Sequence, residues 1–302
     1  MNTLLLNSCI VSREKFSYNL AEYNMIERGY EMMSLMEMHK QTFGNVSKPI
    51  IGCLHMSALP GTPYYDAGLS MKDHIQRLKN DAKILMSLGY DAVVFANEGD
   101  RPYQPHVSPE IIATYVRIAC EVIPELHTPY GCGVLIDPIA TLAVANAIAA
   151  SFVRTYVSNS YEGTFGHQQF IPADIFRYQK QIGAERVKVY TYFEAHAGVC
   201  LDTRSTEDQI ASGFATMPIS GMLVGGPRAG LAPDQAKFMA IRKAFPDKPL
   251  ILGSGANIDN ISALLPNCDG VIVGTTIKRD AYLYNEIDPK RAEAFIRAAK
   301  NT

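Results

Sequence analysis

The chain carries no excess of charge of either sign: 28 Lys and Arg stand against 30 Asp and Glu, a formal net charge of −2 over 302 residues. Without a strong positive field there is nothing to gather a polyanion, so no nucleic-acid partner is expected. Long apolar runs are also missing. A bilayer crossing needs ~20 apolar residues, and the longest candidate, 141–153, is interrupted by Asn146 and Ser151. The six cysteines form no C-x-x-C pair, and most lie in apolar stretches where a reduced thiol packs as a small hydrophobe, the usage of a reducing compartment. Residues 1–11 show neither a basic n-region nor a small-residue cleavage site, and Glu14, Glu22, Glu27, Glu31 and Glu37 are foreign to a transit peptide. A soluble, cytoplasmic protein with no membrane span is expected.

What is present is an ordinary globular composition, 47% apolar and 19% charged, in a chain long enough to bury roughly three quarters of its extended surface. Residues 1–48 read as a helical extension. Phe16, Leu20, Tyr23, Ile26, Tyr30, Met33 and Met36 recur at steps of four and three, one face of an amphipathic helix. Its many methionines suit an adaptable surface, docked on the same chain or serving as a subunit or partner contact. A homo-oligomer is expected.

Residues 49–302 repeat one unit eight times: a short apolar run, a polar glycine-containing loop, and a helical pattern. The strands end near Met56, Glu98, Ile136, Val157, Glu194, Gly226, Gly255 and Thr275. Helices are predicted over 71–88, 109–126, 138–150, 172–183, 206–215, 233–244, 258–265 and 289–300. Several open with Pro behind a capping residue, as in Ser108-Pro109, Asp137-Pro138 and Asp288-Pro289. Runs such as Ala92-Val93-Val94-Phe95 suit strands covered on both faces. Strict alternation over about 250 residues predicts an α/β fold of the (β/α)8 TIM-barrel type. An open doubly wound sheet is the alternative, but Gly52-Cys53-Leu54-His55 after the first strand lacks the glycine-spaced dinucleotide turn.

Barrel chemistry sits at the C-terminal ends of the strands. There Gly253-Ser254-Gly255-Ala256 follows the seventh strand and Gly274-Thr275-Thr276 the eighth. Glycines let backbone N–H groups approach an anion, and the hydroxyls can donate to it. Gly226, Ser254, Gly255, Gly274 and Thr275 are therefore the candidate phosphate-binding residues, and a small phosphorylated metabolite the expected partner.

Several stretches together resemble the BtpA/SgcQ family. They are Ile51-Gly52-Cys53-Leu54-His55 leading to Leu59-Pro60-Gly61-Thr62-Pro63, Asn97 with Gly99-Asp100, Phe152-Val153-Arg154, Gly253-Ser254-Gly255, and Asp269 to Thr275 with Lys278. The resemblance covers the barrel and leaves the N-terminal segment outside. It implies a barrel similar to the ribulose-phosphate-binding group, in a family whose members are tied to photosystem I biogenesis or to sugar-utilisation gene clusters. Three positions depart from the family's pattern. Glu-Asn-Phe-Gly-Asp becomes Ala96-Asn97-Glu98-Gly99-Asp100, Arg-Asn-Asp contracts to Ile136-Asp137, and Lys-His appears as Ala195-His196.

The candidate catalytic residues are Asp137, His196, His55, Glu98 and Arg154. Asp137 and His196 are the preferred base and acid, with an N-cap aspartate and a loop histidine as the structural alternatives. His55 orients substrate or is structural. Asp100 is expected to tie down its loop through backbone N–H groups. Arg154, inside the fourth strand, requires a partner: an internal ion pair is favoured, a ligand anion the alternative. Glu98 and Glu194 are the acids for that pair, or with His55 and His196 form a divalent-metal set, although no spacing motif supports a metal. No organic cofactor is predicted. Lys188 lies early in its strand and Lys278 beside the presumed anion, which argues against imine chemistry. There is no G-x-S-x-G, and Cys53 lies deeper than His55 on one strand face, so packing is its expected role. The loop 158–171, with Tyr161 and Phe165, reads as a lid or a subunit contact. The expected activity is acid–base chemistry on a phosphorylated sugar or nucleoside-like compound, by a lyase, isomerase or hydrolase; a noncatalytic assembly factor that keeps the pocket is the alternative.

Overall fold

The computed structural model describes residues 33–227 and 230–301. The sulfur-rich helix expected from Phe16 onward lies almost wholly outside the described residues. The barrel and its flanking helices form one body from Ser34 to the C-terminus.

Eight parallel strands close into a barrel. They are β1 (Ile50–His55), β2 (Ala92–Ala96), β3 (Tyr130–Gly133), β4 (Phe152–Thr155), β7 (Lys188–Tyr192), β9 (Gly221–Val224), β10 (Leu250–Leu252) and β11 (Val271–Val273), paired in that order, with β11 returning to β1. Between them run α2 (Met71–Ser87), α3 (Pro109–Val122), α4 (Pro138–Ala147), α5 (Pro172–Gln181), α6 (Thr206–Thr216), α7 (Gln235–Ala244), α8 (Ile261–Leu264) and, after β11, α9 (Pro289–Lys300). Sequence chemistry fixes many of their starts. Ser70 and Asp73 form a reciprocal capping box on α2, Pro stands at the first turn of α3, α4, α5 and α9, and Asp288 accepts from the amides of Lys290 and Arg291.

Period-two alternation sorts each strand into two cores. Ile50, Leu54, Val93, Val153, Val189, Leu252 and Val273 face the helices, whereas Ile51, Cys53, Val94, Phe152, Tyr190, Tyr192, Leu223 and Ile272 fill the barrel. The same alternation turns His55 and Arg154 inward, two residues above Cys53 and Phe152 respectively.

The N-terminal end of the barrel is stoppered by chain that precedes the first strand. In α1 (Leu35–Thr42) the imidazole of His39 is buried between the Tyr190 hydroxyl, 3.0 Å from Nδ1, and the Asp269 carbonyl, 2.7 Å from Nε2. Phe43 comes next and packs on Phe152 and Tyr190 at ring separations of 4.9 and 5.7 Å.

A second, small antiparallel sheet was not expected from the sequence. The loop 158–171 folds into β5 (Ser160–Gly163) and β6 (Gln168–Gln169), and β5 also pairs with β8 (Gly198–Cys200) from the loop after β7.

Candidate functional site

At the C-terminal mouth a single cavity is lined by side chains from several strand ends. His55 (the last residue of β1), Glu98 and Tyr103 (after β2), Arg154 (β4), Tyr192 and His196 (β7 and its loop), and the turns Gly253 to Ala256 and Gly274 to Thr275 all contribute to its wall.

Arg154 is the central cation. Its Nε donates to the Tyr192 hydroxyl at 2.8 Å, and that hydroxyl donates onward to the Gly253 carbonyl at 3.1 Å. No carboxylate lies within ion-pair distance of it among the described residues, so the favoured internal pair is corrected: a neutral tyrosine holds the guanidinium by one nitrogen and leaves its terminal nitrogens to the cavity. Burial alone would lower its pKa, but Tyr192, Cys53 and Glu98 together hold it above the ordinary value, so Arg154 stays charged. Gly253 follows from this arrangement. A Cβ there would lie 2.5 Å from the Tyr192 hydroxyl oxygen, so any larger residue would break the relay between cation and turn.

The two turns meet at the same cavity. Gly255 has a φ of +81°, and a Cβ on it would come within 2.0 Å of the Leu231 carbonyl oxygen. Among the described residues, the amides of Gly255, Ala256, Thr275 and Thr276 meet no hydrogen-bond acceptor. Ser254 accepts the Gly226 amide at 3.2 Å through its hydroxyl oxygen, which leaves its own proton free to point elsewhere. Gly226 thus supports Ser254 from behind; its wall belongs to a neighbouring cavity with Glu194 and Lys237. Ser254, Gly255, Gly274 and Thr275 line the main one.

Glu98 is buried, and its Oε1 accepts from the Tyr103 hydroxyl at 2.8 Å. Its Oε2 lies 3.8 Å from His55 Nε2. Burial, then the charges of Lys278 and Arg154, pushes His55 well below the ordinary histidine range, so the ring is neutral. His196 is likewise lowered to about 4 by burial and by Arg154. It enters any reaction near neutral pH as a neutral imidazole that donates a hydrogen bond; an imidazolium acid, the expected role, is not available there.

The depressed His196 pKa also couples stability to pH. A value near 4 in the fold against about 6.5 unfolded means the unfolded chain binds the extra proton first. The His196 contribution is therefore complete above pH 6.5 and is lost as pH falls toward 4, by about 3 kcal/mol in total. Urea unfolding of the parent and of His196→Asn across pH 4–7 checks this: the variant's stability should fall less steeply, and parallel curves would contradict it.

The structure moves other candidates away from the cavity. Asp137 caps α4 through the Ala140 amide at 2.9 Å and takes the Val107 amide at 3.0 Å with its other oxygen, so both carboxylate oxygens serve the backbone. It is absent from the cavity wall, which removes the geometric basis for a base. Glu194 turns to Lys237 and to the Thr206 hydroxyl. The metal set of Glu98, Glu194, His55 and His196 is therefore not assembled, and among the described residues no three His, Cys, Asp or Glu side chains converge. Lys278 does not face the turns: it is fully buried with Asp81 at 3.0 Å. Asp100 holds the Leu59 amide at 2.7 Å and the Asn97 side chain at 2.8 Å. Cys53 is buried beneath His55 with its thiol pushed up to about 11 by burial, an unreactive packing residue. Of the loop aromatics, Phe165 lines the cavity 5.0 Å from the Tyr103 ring, while Tyr161 is buried against Tyr156 and Phe170.

Sequence reasoning missed Tyr192, Tyr103 and Tyr156. The first two hold the site's charged groups through hydrogen bonds, and the third lines the cavity beside the Tyr192 ring. Tyrosines two apart in a strand next to the one carrying Arg154 were the available signal, since Tyr190 and Tyr192 must share the inner face with it.

A closed parallel barrel with its polar groups gathered at the C-terminal strand ends is a (β/α)8 protein with a site at the usual mouth. The chain belongs to the BtpA family, whose model matches residues 46–301. It is 31% identical over 261 residues to the putative sgc region protein SgcQ of Escherichia coli (strain K12), covering 86% of this chain and 97% of that one. It is 28% identical over 266 residues to the photosystem I biogenesis protein BtpA of Synechocystis sp. (strain ATCC 27184 / PCC 6803 / Kazusa), covering 85% and 90%. Among solved structures it shares its fold with phosphoribosyl anthranilate isomerase from Thermus thermophilus, at a TM-score of 0.53 and 12% identity over 84% of this chain and 98% of that one. No helix among the described residues is long and apolar enough to cross a membrane.

Proposed function

We propose that this protein is an enzyme acting on a small phosphorylated sugar or nucleoside-like compound by proton transfer. The observation that carries the reading is that both glycine turns line one cavity with Arg154, whose terminal nitrogens are left open by its bond to Tyr192. Amides that meet no acceptor among the described residues, two hydroxyls and a permanent cation together suit a phosphate ester. Glu98 is the proton carrier: it is the carboxylate on the cavity wall, and Tyr103 fixes its free oxygen toward His55. Neutral His55 and His196 polarise a carbonyl or hydroxyl of the substrate by hydrogen bonding, without giving up a full proton.

The test is thermal melting against a panel of sugar phosphates, followed by turnover assays of any compound that stabilises. A ligand held at 100 times its Kd should add about 2.7 kcal/mol, roughly a 5 °C rise in Tm. Arg154→Gln should weaken that ligand by about tenfold, the loss of one charge-assisted contact pair. If no phosphorylated compound raises the Tm, the pocket reading fails. Stabilisation without turnover in the parent would favour a noncatalytic binder.

A further inference from the structure

A second cavity adjoins the first at the His55 and Glu98 side chains. The two cavities share those residues and Leu283 as a common wall, and the second is lined in addition by Tyr64, Arg77, Arg101 and Tyr284. Its two arginines differ in state. Arg77 is engaged, with Nη2 donating to the Tyr284 carbonyl at 3.0 Å and Nε 3.4 Å from Glu286. Arg101 lies between two rings, its Cζ 3.9 Å from the Tyr64 centroid and 3.6 Å from that of Tyr284. Among the described residues it makes no hydrogen bond or ion pair.

A guanidinium between two aromatic rings has its faces covered and its edge free. The N–H groups all lie in that edge, two of them parallel, in the geometry that grips a carboxylate or phosphate at two points. The backbone that carries it is fixed. Gly99 packs so tightly that a Cβ would lie 2.2 Å from the Ala58 nitrogen, and Asp100 bonds the Leu59 amide at 2.7 Å. The ordering cost of this arginine is thus met before any ligand arrives.

We propose that Arg101 is a second anion subsite, and that the substrate is a compound with two separate anionic groups. Its phosphate ester lies at the glycine turns, its reacting carbons pass His55 and Glu98, and a carboxylate or second phosphate reaches the Arg101 edge. This rests on the phosphate-ester reading of the main cavity and narrows it.

Calorimetric titration of the full chain with fructose 6-phosphate, 6-phosphogluconate and fructose 1,6-bisphosphate tests it. At least one of the two probes with a second anionic group should bind about tenfold more tightly than the monophosphate, as an added bidentate contact implies. Which of the two it is distinguishes a carboxylate from a phosphate at Arg101. In Arg101→Gln the ratio of affinities should collapse toward one. Arg101→Lys, which keeps the charge and much of the stem but not the planar fork, should lose most of the ratio, and it decides the matter if the glutamine variant fails to fold. Equal affinities in the parent, or a full ratio in either variant, overturn the subsite while fructose 6-phosphate binding leaves the main pocket standing. If none of the three probes binds, the subsite falls, and the main pocket falls with it only where no compound of the melting panel raises the Tm.

Discussion

Replacing Glu98 by Gln is expected to lower turnover by roughly 10²–10⁴-fold, the usual worth of a positioned general acid or base, on whichever phosphate ester stabilises the parent. The substitution is nearly isosteric. The amide can still meet the Tyr103 hydroxyl that now lies 2.8 Å from Oε1, so the wall shared with His55 should keep its shape. Binding, measured by titration beside steady-state kinetics, should therefore change far less than rate, by no more than about threefold. A fall in affinity as large as the fall in rate would mean that Glu98 shapes the cavity without moving a proton. An unchanged rate would remove it from the chemistry altogether.

The largest expected loss of stability is at a residue with no place in the cavity wall. Asp81 is buried on α2, its Oδ2 3.0 Å from the Lys278 ammonium and its Oδ1 accepting the Ile287 amide at 2.8 Å. Asp81→Asn should cost about 3–5 kcal/mol, because it strands a fully buried lysine charge rather than merely deleting an attraction. Asp81→Leu combined with Lys278→Met should recover much of that loss, since removing both members of a buried pair is often close to neutral. Urea denaturation of the single and double variants measures it. A loss of under 1 kcal/mol in the single variant would contradict the uncompensated-charge account. The pair also reaches the cavity through its field: Lys278 is, after burial, the largest influence holding His55 neutral. Lys278→Met should accordingly raise the His55 pKa, seen by NMR titration of the ring.

The architecture was largely legible because local and global signals agreed. Proline behind Ser108, Asp137 and Asp288 marked helix starts that the fold uses, and unbroken apolar runs such as 92–95 could be satisfied only by strands covered on both faces. The small sheet was illegible for the converse reason. Ser160–Gly163, Gln168–Gln169 and Gly198–Cys200 are short and mixed in polarity, so neither alternation nor an apolar run announces them.

The site was legible in kind and not in partnership. Two glycine turns at neighbouring strand ends could be read directly, because their separation along the barrel follows from strand order. Arg154 could be identified as a buried cation in need of company, but the order of strands alone does not choose between an acid and the Tyr192 hydroxyl. Lys278 shows the limit most plainly: its partner Asp81 lies almost two hundred positions earlier, and no local pattern couples them. Asp137 was open to two readings, and its two backbone amides favour the cap.

The stopper formed by His39 and Phe43 belongs to the same body as the barrel strands. Cutting the chain at Pro49, just before β1, would preserve every barrel strand yet leave a ring-sized hollow between Phe152 and Tyr190, with the Tyr190 hydroxyl and the Asp269 carbonyl deprived of their shared imidazole. The body that holds the barrel thus starts some fifteen residues upstream of the first strand, at Ser34, and those residues seal the floor of the barrel opposite the cavity.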